Sequence, residues 1–284
     1  MNKHFASLIT VFIAASGLFF SCGNKANNNV GAFEFDSISL HEQAYLFGDT
    51  AKPACDFTLS LEYITQGNDA KLKDSVNSYL LSIALGSNYQ NMKPIEAADA
   101  YKQKYVKNYL NDLEPIYLEE EKECKANNEE IGSWYNYYKG VKAYTQFYNK
   151  QLLVYRVDYN EYTGGAHGIY TSTFLNLDLR TLTPIHLDDL FVNDYKEALT
   201  DLLWNQLMAD NQVATREELE EMGYASTGEL EPTDNFYLSK EGITFYYNVY
   251  EITPYAMGAV AISLPYEAFQ HLVSDNKDIL NSVK

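Results

Sequence analysis

Apolar positions along the chain follow two periods, and the places where one gives way to the other outline its elements. Asp56–Tyr63 alternates, with Phe57, Leu59, Leu61 and Tyr63 on one side, which predicts a half-buried strand. Gly67-Asn68-Asp69 ends it and opens a helix. From Asp69 to Leu85 the apolar set Leu72, Val76, Tyr79, Leu80 and Ile83 recurs at helical spacing, and Gly86 is a natural stop. Pro94 stands where a first helical turn tolerates proline, with Glu96 and Asp99 near the positive end of the dipole. Ala98, Tyr101, Tyr105, Tyr109 and Leu113 continue that helix as a tyrosine stripe. Pro115 predicts a kink or brief break, with the helix resuming over Ile116–Lys125. Such a stripe reads as core before it reads as a ligand site, because tyrosine rings carry so much buriable area.

Past the polar loop Asn127–Glu130 the period shortens to two. Trp134–Tyr138, Val141–Tyr148 and Leu152–Tyr162 predict strands, with Asn149-Lys150 as a hairpin turn. Ile169–Leu179 alternates again, and Leu182-Thr183-Pro184 turns the chain into Ile185–Leu187 and a short helical turn at Asp188–Phe191. Tyr195–Met208 predicts a helix burying Tyr195, Ala198, Leu199, Leu202, Leu203 and Leu207. Thr215 with Glu218 three residues later fits a capping box. Phe236–Leu238, Ile243–Tyr250 and Ala259–Leu264 predict strands, and Pro265 opens a last helix to Val273 before a frayed tail. Upstream, Phe33–Phe47 reads as irregular, with a first strand near Ala44–Gly48. Helices and strands that cluster without regular alternation define an α+β fold. Its predicted parts are an N-terminal strand-plus-helices domain, 44–130, and an antiparallel-sheet domain with one long packed helix, 131–284.

One stretch fits neither period. Tyr162-Thr163-Gly164-Gly165-Ala166-His167-Gly168 places three glycines and a histidine between two strands. Glycine is used where the backbone takes positive φ or passes close to another group. The loop is therefore a bulged turn first and a binding loop second. A second irregular loop, Ile252–Gly258, contains Pro254 and Tyr255. Tyr162, Gly164, Gly165, His167, Gly168, Pro254 and Tyr255 are the candidate ligand-binding residues.

Composition adds an address. Lys3 and His4 followed by the apolar run Leu8–Phe20 read as an export leader, too short to span a membrane stably. The run ends in Leu18-Phe19-Phe20-Ser21-Cys22-Gly23, which resembles the lipobox of bacterial lipoproteins. Residues 1–21 are then a lipoprotein signal peptide, Cys22 the acylated N-terminus, and 22–43 a polar tether, placing the protein in the cell envelope on a lipid anchor. The chain carries 21 Lys+Arg against 39 Asp+Glu, and removing the leader takes away Lys3, leaving −19. That balance argues against nucleic acid and favours cationic partners. In an oxidising compartment the remaining Cys55 and Cys124 are expected to pair as a disulfide.

The glycine loop, the strand ending Asn176-Leu177-Asp178-Leu179, and Thr181 through Leu187-Asp188-Asp189-Leu190-Phe191 form a recognisable series. Ile243–Tyr250, Pro254-Tyr255-Ala256-x-Gly258 and Pro265-Tyr266 continue it. Together they resemble a pair of domains of unknown function found consecutively in exported bacterial proteins. Among these are RsiV-like, lysozyme-sensing anti-sigma factors and the segment preceding the catalytic module of PdaC-type peptidoglycan deacetylases. The resemblance covers Ala44–Val273. It implies the extracytoplasmic domain pair alone, without the anti-sigma segment or the deacetylase module. It also implies binding of a protein or cell-wall ligand, of which a lysozyme-type basic protein would suit the acidic charge.

Catalytic constellations are not evident. No G-x-S-x-G, P-loop or G-x-G-x-x-G occurs, and His41, His167, His186 and His271 are isolated. His167, His186 and Asp188 or Asp189 could hold a metal only by converging in space. No cofactor and no catalytic residue is assigned. A non-enzymatic binding module is the leading expectation, ahead of a metal-assisted cell-wall hydrolase or deacetylase and a purely structural envelope lipoprotein.

Overall fold

A computed structural model describes residues 32–67, 69–274 and 278–283. The leader, Cys22 and the Asn24–Asn29 tether lie outside the described residues. Six strands form one sheet in sequence order: β1 (Glu34–Tyr45), β2 (Ala54–Gln66), β3 (Tyr137–Tyr148), β4 (Leu152–Tyr162), β5 (Ile169–Asp178) and β6 (Thr183–Pro184). All neighbours are antiparallel except β2 and β3. A parallel pair requires a long crossover, and α1 (Ala70–Leu85) and α2 (Pro94–Asn127) supply it. The sheet thus runs through position 130, with two strands before it and four after. The fold is α+β.

Local chemistry places the crossover helices. Asp69 caps α1 by accepting from the backbone N–H groups of Lys71 and Leu72 at 2.8 and 3.2 Å, and Gly86 ends it at φ 100°. Pro94 is the first residue of α2, and Asn128 ends that helix in the left-handed region at φ 58°. Phe57, Leu59 and Leu61 of β2, Val141 and Ala143 of β3, and Leu153, Tyr155 and Val157 of β4 pack beneath these helices.

A second sheet, β7 (Phe236–Leu238), β8 (Gly242–Tyr247) and β9 (Val260–Pro265), covers part of the other face of the first. With α3 (Leu187–Leu190), α4 (Tyr195–Asn211), α5 (Arg216–Glu221), α6 (Tyr266–Phe269) and α7 (Asp278–Val283) it builds another core. β4 serves both: Leu153 and Tyr155 face the crossover helices, whereas Leu152 and Val154 join the second core. Three asparagines join the sheets. Asn235 Oδ1 accepts from Phe174 N–H at 3.1 Å, while its Nδ2 donates to Ser172 and Tyr246 carbonyls. Asn176 Nδ2 donates to Phe236 O at 2.7 Å, and Asn248 Oδ1 accepts from Ser172 N–H at 2.7 Å.

Five expectations change. The first strand begins at Glu34, inside the expected tether, because Phe35, Ile38 and Leu40 half-bury against the helix-covered face while their neighbours stay exposed. α2 continues through Pro115 as one 34-residue helix. Trp134 lies in a single 3₁₀ turn, Ser133–Tyr135, ahead of β3. The tail forms α7, since Ile279, Leu280 and Val283 are buried in the second core. Cys55 and Cys124 are both buried and free. Cys55 packs with Tyr109, and Cys124 lies fifteen residues further along α2, about 22 Å at 1.5 Å per residue. A disulfide needs Cα atoms within about 7 Å.

Candidate functional site

β4 and β5 both end at the glycine loop, and the turn there depends on two positive-φ glycines. Gly164 and Gly165 sit at φ 89° and 101°, where side chains are rarely tolerated. Tyr162 Oη donates back to Gly165 O at 2.9 Å, closing the loop on itself. Gly168 meets a different demand. A Cβ there would stand 2.3 Å from Tyr138 Oη and 2.8 Å from Glu161 O, so Tyr138 lies directly over this position.

The second loop follows β8. Tyr250 takes φ 71°, an uncommon conformation for an aromatic residue. Its N–H donates to Thr253 O at 3.1 Å. Thr253, fully buried, donates from Oγ1 to Gly258 O at 3.0 Å. Pro254 precedes a 3₁₀ turn, Tyr255–Met257, and accepts from Met257 N–H at 2.9 Å.

These loops meet at His167. Its ring stacks on Tyr255 with centroids 3.9 Å apart and planes 19° from parallel. Nδ1 lies 2.9 Å from Gly168 O, and Nε2 lies 3.0 Å from Tyr250 Oη. A carbonyl only accepts, so in the neutral ring Nδ1 carries the proton and Nε2 accepts from the Tyr250 hydroxyl. Tyr170 meets Tyr255 edge-on at 5.7 Å, and Tyr138 stacks on Tyr162 at 5.9 Å. Desolvation, followed by the neighbouring Tyr170, Tyr138 and Tyr250, pushes the Tyr255 hydroxyl above its ordinary pKa. The result is a strip of rings on the uncovered part of the sheet face, with Tyr138, Tyr170 and Tyr250 each about two-fifths exposed or more.

The strip unites all the candidate ligand-binding residues. Sequence reasoning missed Tyr138, Tyr170 and Tyr250, three of 25 tyrosines, each carried in a strand or loop with no motif around it. Strand register held the one available signal. Counting back from the Asn149-Lys150 turn brings Tyr138 beside the glycine loop, although a bulge between Thr145 and Phe147 sets the final pairing with Tyr162.

The metal alternative does not assemble. His167 precedes Ile169 at the start of β5, whereas His186 follows Pro184, which pairs with Leu177 near its end. Eight residues of strand separate those ends by about 26 Å. His186 instead lies 3.7 Å from Asp234. Among the described residues no group of three or more His, Cys, Asp or Glu could hold a metal ion.

A cavity of about 870 Å³ lies elsewhere, between α1 and the start of α2, lined by Tyr63, Asn77, Met92 and Ile95 among others. Concavity and ring chemistry thus point to different places. The cavity's charges are already matched, Lys73 with Asp74 at 3.2 Å and Lys93 with Glu96 at 3.3 Å, and Asn77 is taken up by the backbone of Ile64. The aromatic strip has fixed rings, and among the described residues the hydroxyls of Tyr138, Tyr170 and Tyr255 bond to no protein group, so it is the stronger candidate.

The structure is thus an α+β fold that carries an exposed strip of aromatic rings. Comparison with known proteins makes this specific. Residues 188–267 match the model of a protein of unknown function, DUF3298, and residues 49–170 match that of the deacetylase PdaC. A crystal structure of a DUF3298 family member from Bacteroides fragilis is 58% identical, with a TM-score of 0.86 over 90% of this chain and 99% of that one. The chain belongs to the DUF3298 family. A second family structure, from Pseudomonas aeruginosa PAO1, is 14% identical with a TM-score of 0.61 over 86% of this chain and 96% of that one, a likeness of fold alone. No curated protein matches. Among the described residues no helix is long and apolar enough to cross a membrane.

Proposed function

We propose that the chain is an extracytoplasmic binding module, held to a membrane through Cys22, whose aromatic strip recognises a protein or cell-wall ligand. The observation that carries this reading is the stack of His167 on Tyr255. Two irregular loops 83 residues apart at their Tyr250–His167 bond are brought together at an exposed surface, and each adopts positive-φ backbone to get there. Glycine allows this in the first loop, but Tyr250 takes it at a cost, and backbone strain of that kind concentrates where a surface has a task. Exposed aromatic rings are the usual anchors of protein interfaces. The acidic balance supports a lysozyme-type basic protein as partner, because charge of opposite sign steers encounter.

The test is capture of egg-white lysozyme and of insoluble peptidoglycan by the purified protein at low salt. Retention of at least one is expected, together with a loss of tenfold or more in His167→Ala, whose melting point should fall by only a few degrees because the residue is exposed. If neither ligand is retained, or if His167→Ala lowers stability and leaves capture intact, the loop is a structural corner only.

A further inference from the structure

Within a chain of net charge −18, the aromatic strip is uncharged. Tyr138, Tyr162, His167, Tyr170, Tyr250 and Tyr255 contribute no carboxylate or ammonium, and the two acids adjoining them in sequence are engaged elsewhere. Glu161 pairs with Lys139 at 3.2 Å beneath the sheet. Glu251 accepts from Asn248 N–H at 2.8 Å through its side chain. The strip itself therefore offers ring faces and hydroxyls and no acidic, lysine or arginine side chain.

Its hydroxyls divide into two sets. Those of Tyr162 and Tyr250 hold the loops, through Gly165 O and His167 Nε2. Those of Tyr138, Tyr170 and Tyr255 bond to no protein group among the described residues, although all three rings border the strip. A ring face carries negative quadrupole density and attracts weakly positive C–H hydrogens, while a free phenol both donates and accepts. A partner matching this surface has flat C–H faces, hydroxyls at their edges and no net charge. An aromatic side chain supplies the face without the hydroxyls, and an anionic polymer is repelled by the chain as a whole.

We infer that the strip binds a neutral oligosaccharide, with one sugar ring on the Tyr255–His167 stack and its hydroxyls meeting Tyr138 and Tyr170. The inference rests on the recognition reading above and names its ligand class. Recognition is by stacking and neutral hydrogen bonds, so it is insensitive to ionic strength, unlike capture of a basic protein by net charge. The rings are held in place before binding, which lowers the ordering cost of association.

The experiment is calorimetric titration of the full-length protein with chitohexaose and with cellohexaose, at about 50 mM and about 500 mM salt. Saturable binding of one or both is expected, with a Kd on the order of 1 mM or tighter, unchanged by salt. It should weaken at least tenfold in Tyr255→Ala and in Tyr138→Ala and persist in Tyr255→Trp, with circular dichroism confirming that each variant folds. Binding absent up to about 10 mM, or equal in wild type and both alanine variants, overturns the inference. Lysozyme captured while both oligosaccharides fail to bind also overturns it and leaves the recognition reading standing. Failure of lysozyme, peptidoglycan and both oligosaccharides removes the two together.

Discussion

Two clusters of tyrosine sit back to back on the large sheet and behave in opposite ways. On the helix-covered face Lys139 is enclosed by the rings of Tyr101, Tyr105 and Tyr159, with Nζ between 4.9 and 5.3 Å from each centroid, and pairs with Glu161 at 3.2 Å. On the other face Tyr138, Tyr162, Tyr170, Tyr250 and Tyr255 surround His167 and stay open to solvent. Neighbours in sequence divide between the two: Tyr138 pairs with Tyr162, and the next residue, Lys139, pairs with Glu161. Since successive strand residues point to opposite faces, the same two strands build a closed cage and an open strip. The closed cluster has a cation at its centre and a helix as lid. Without either, the open cluster is left with ring faces to offer a ligand. Tyrosine content alone therefore says nothing of role; what occupies the middle decides it.

The contrast predicts where substitutions act. The largest effect belongs to Lys139→Met. Burial pulls the Lys139 ammonium down, but Tyr101, a hydrogen bond with Tyr159 and the charge of Glu161 outweigh it and hold the pKa above its usual value. Removing the cation leaves the Glu161 carboxylate half-buried with no opposite charge beside it, and a loss of about 3 kcal/mol is expected in urea unfolding. Ligand capture by the folded fraction should be unaffected, and a parallel loss of capture would break the separation of the faces. Gly168→Ala comes next. Its Cβ would meet both Tyr138 Oη and the Glu161 carbonyl, and the backbone oxygen cannot swing aside. A loss of about 2 kcal/mol is expected, this time with weakened capture, because Tyr138 must leave the strip.

The smallest effect is in pH. Burial, then the hydrogen bond to Glu161, pushes the Tyr159 hydroxyl up to about 12. A folded-state pKa above the unfolded value of about 10 means stability is complete below pH 10 and is lost as pH rises toward 12. Thermal melts should hold level to about pH 9.5 and then fall by on the order of 5 °C per pH unit. In Tyr159→Phe the fall should be shallower, and an unchanged slope would sever Tyr159 from it.

Much of this was readable one element at a time. The Asp69 and Thr215–Glu218 caps, the Gly86 stop and the alternation of β2 and β5 are local, and each is found where the residues placed it. The site was half readable. Glycine clusters and a Pro-Tyr turn mark irregular backbone, so Gly164, Gly165, His167, Pro254 and Tyr255 stood out. Their meeting depends on the asparagine contacts between sheets, which no local pattern encodes. Only the end of β1 was anticipated, because an edge strand half-buries few residues, and its Ser-, His- and Glu-bearing positions dilute the alternation. Pro115 misled because a missing N–H costs one bond, and Leu113 and Tyr117 on either side of it are buried deeply enough to hold the helix together. The cysteine pairing failed for a similar reason of distance: composition cannot see that Cys55, on β2, packs beside Tyr109 while Cys124 lies about four turns further along α2.

The two-sided burial of β4 has a consequence for how the chain folds. Leu152 and Val154 complete their core only when α7, the last helix, supplies Ile279, Leu280 and Val283. That closes a loop of well over a hundred residues before the central strand is covered on both sides. Non-local closure of this kind slows folding. Part of one face of β4 therefore stays uncovered until α7 docks, so loss of Ile279, Leu280 and Val283 from that core would expose the central strand rather than merely loosen a tail.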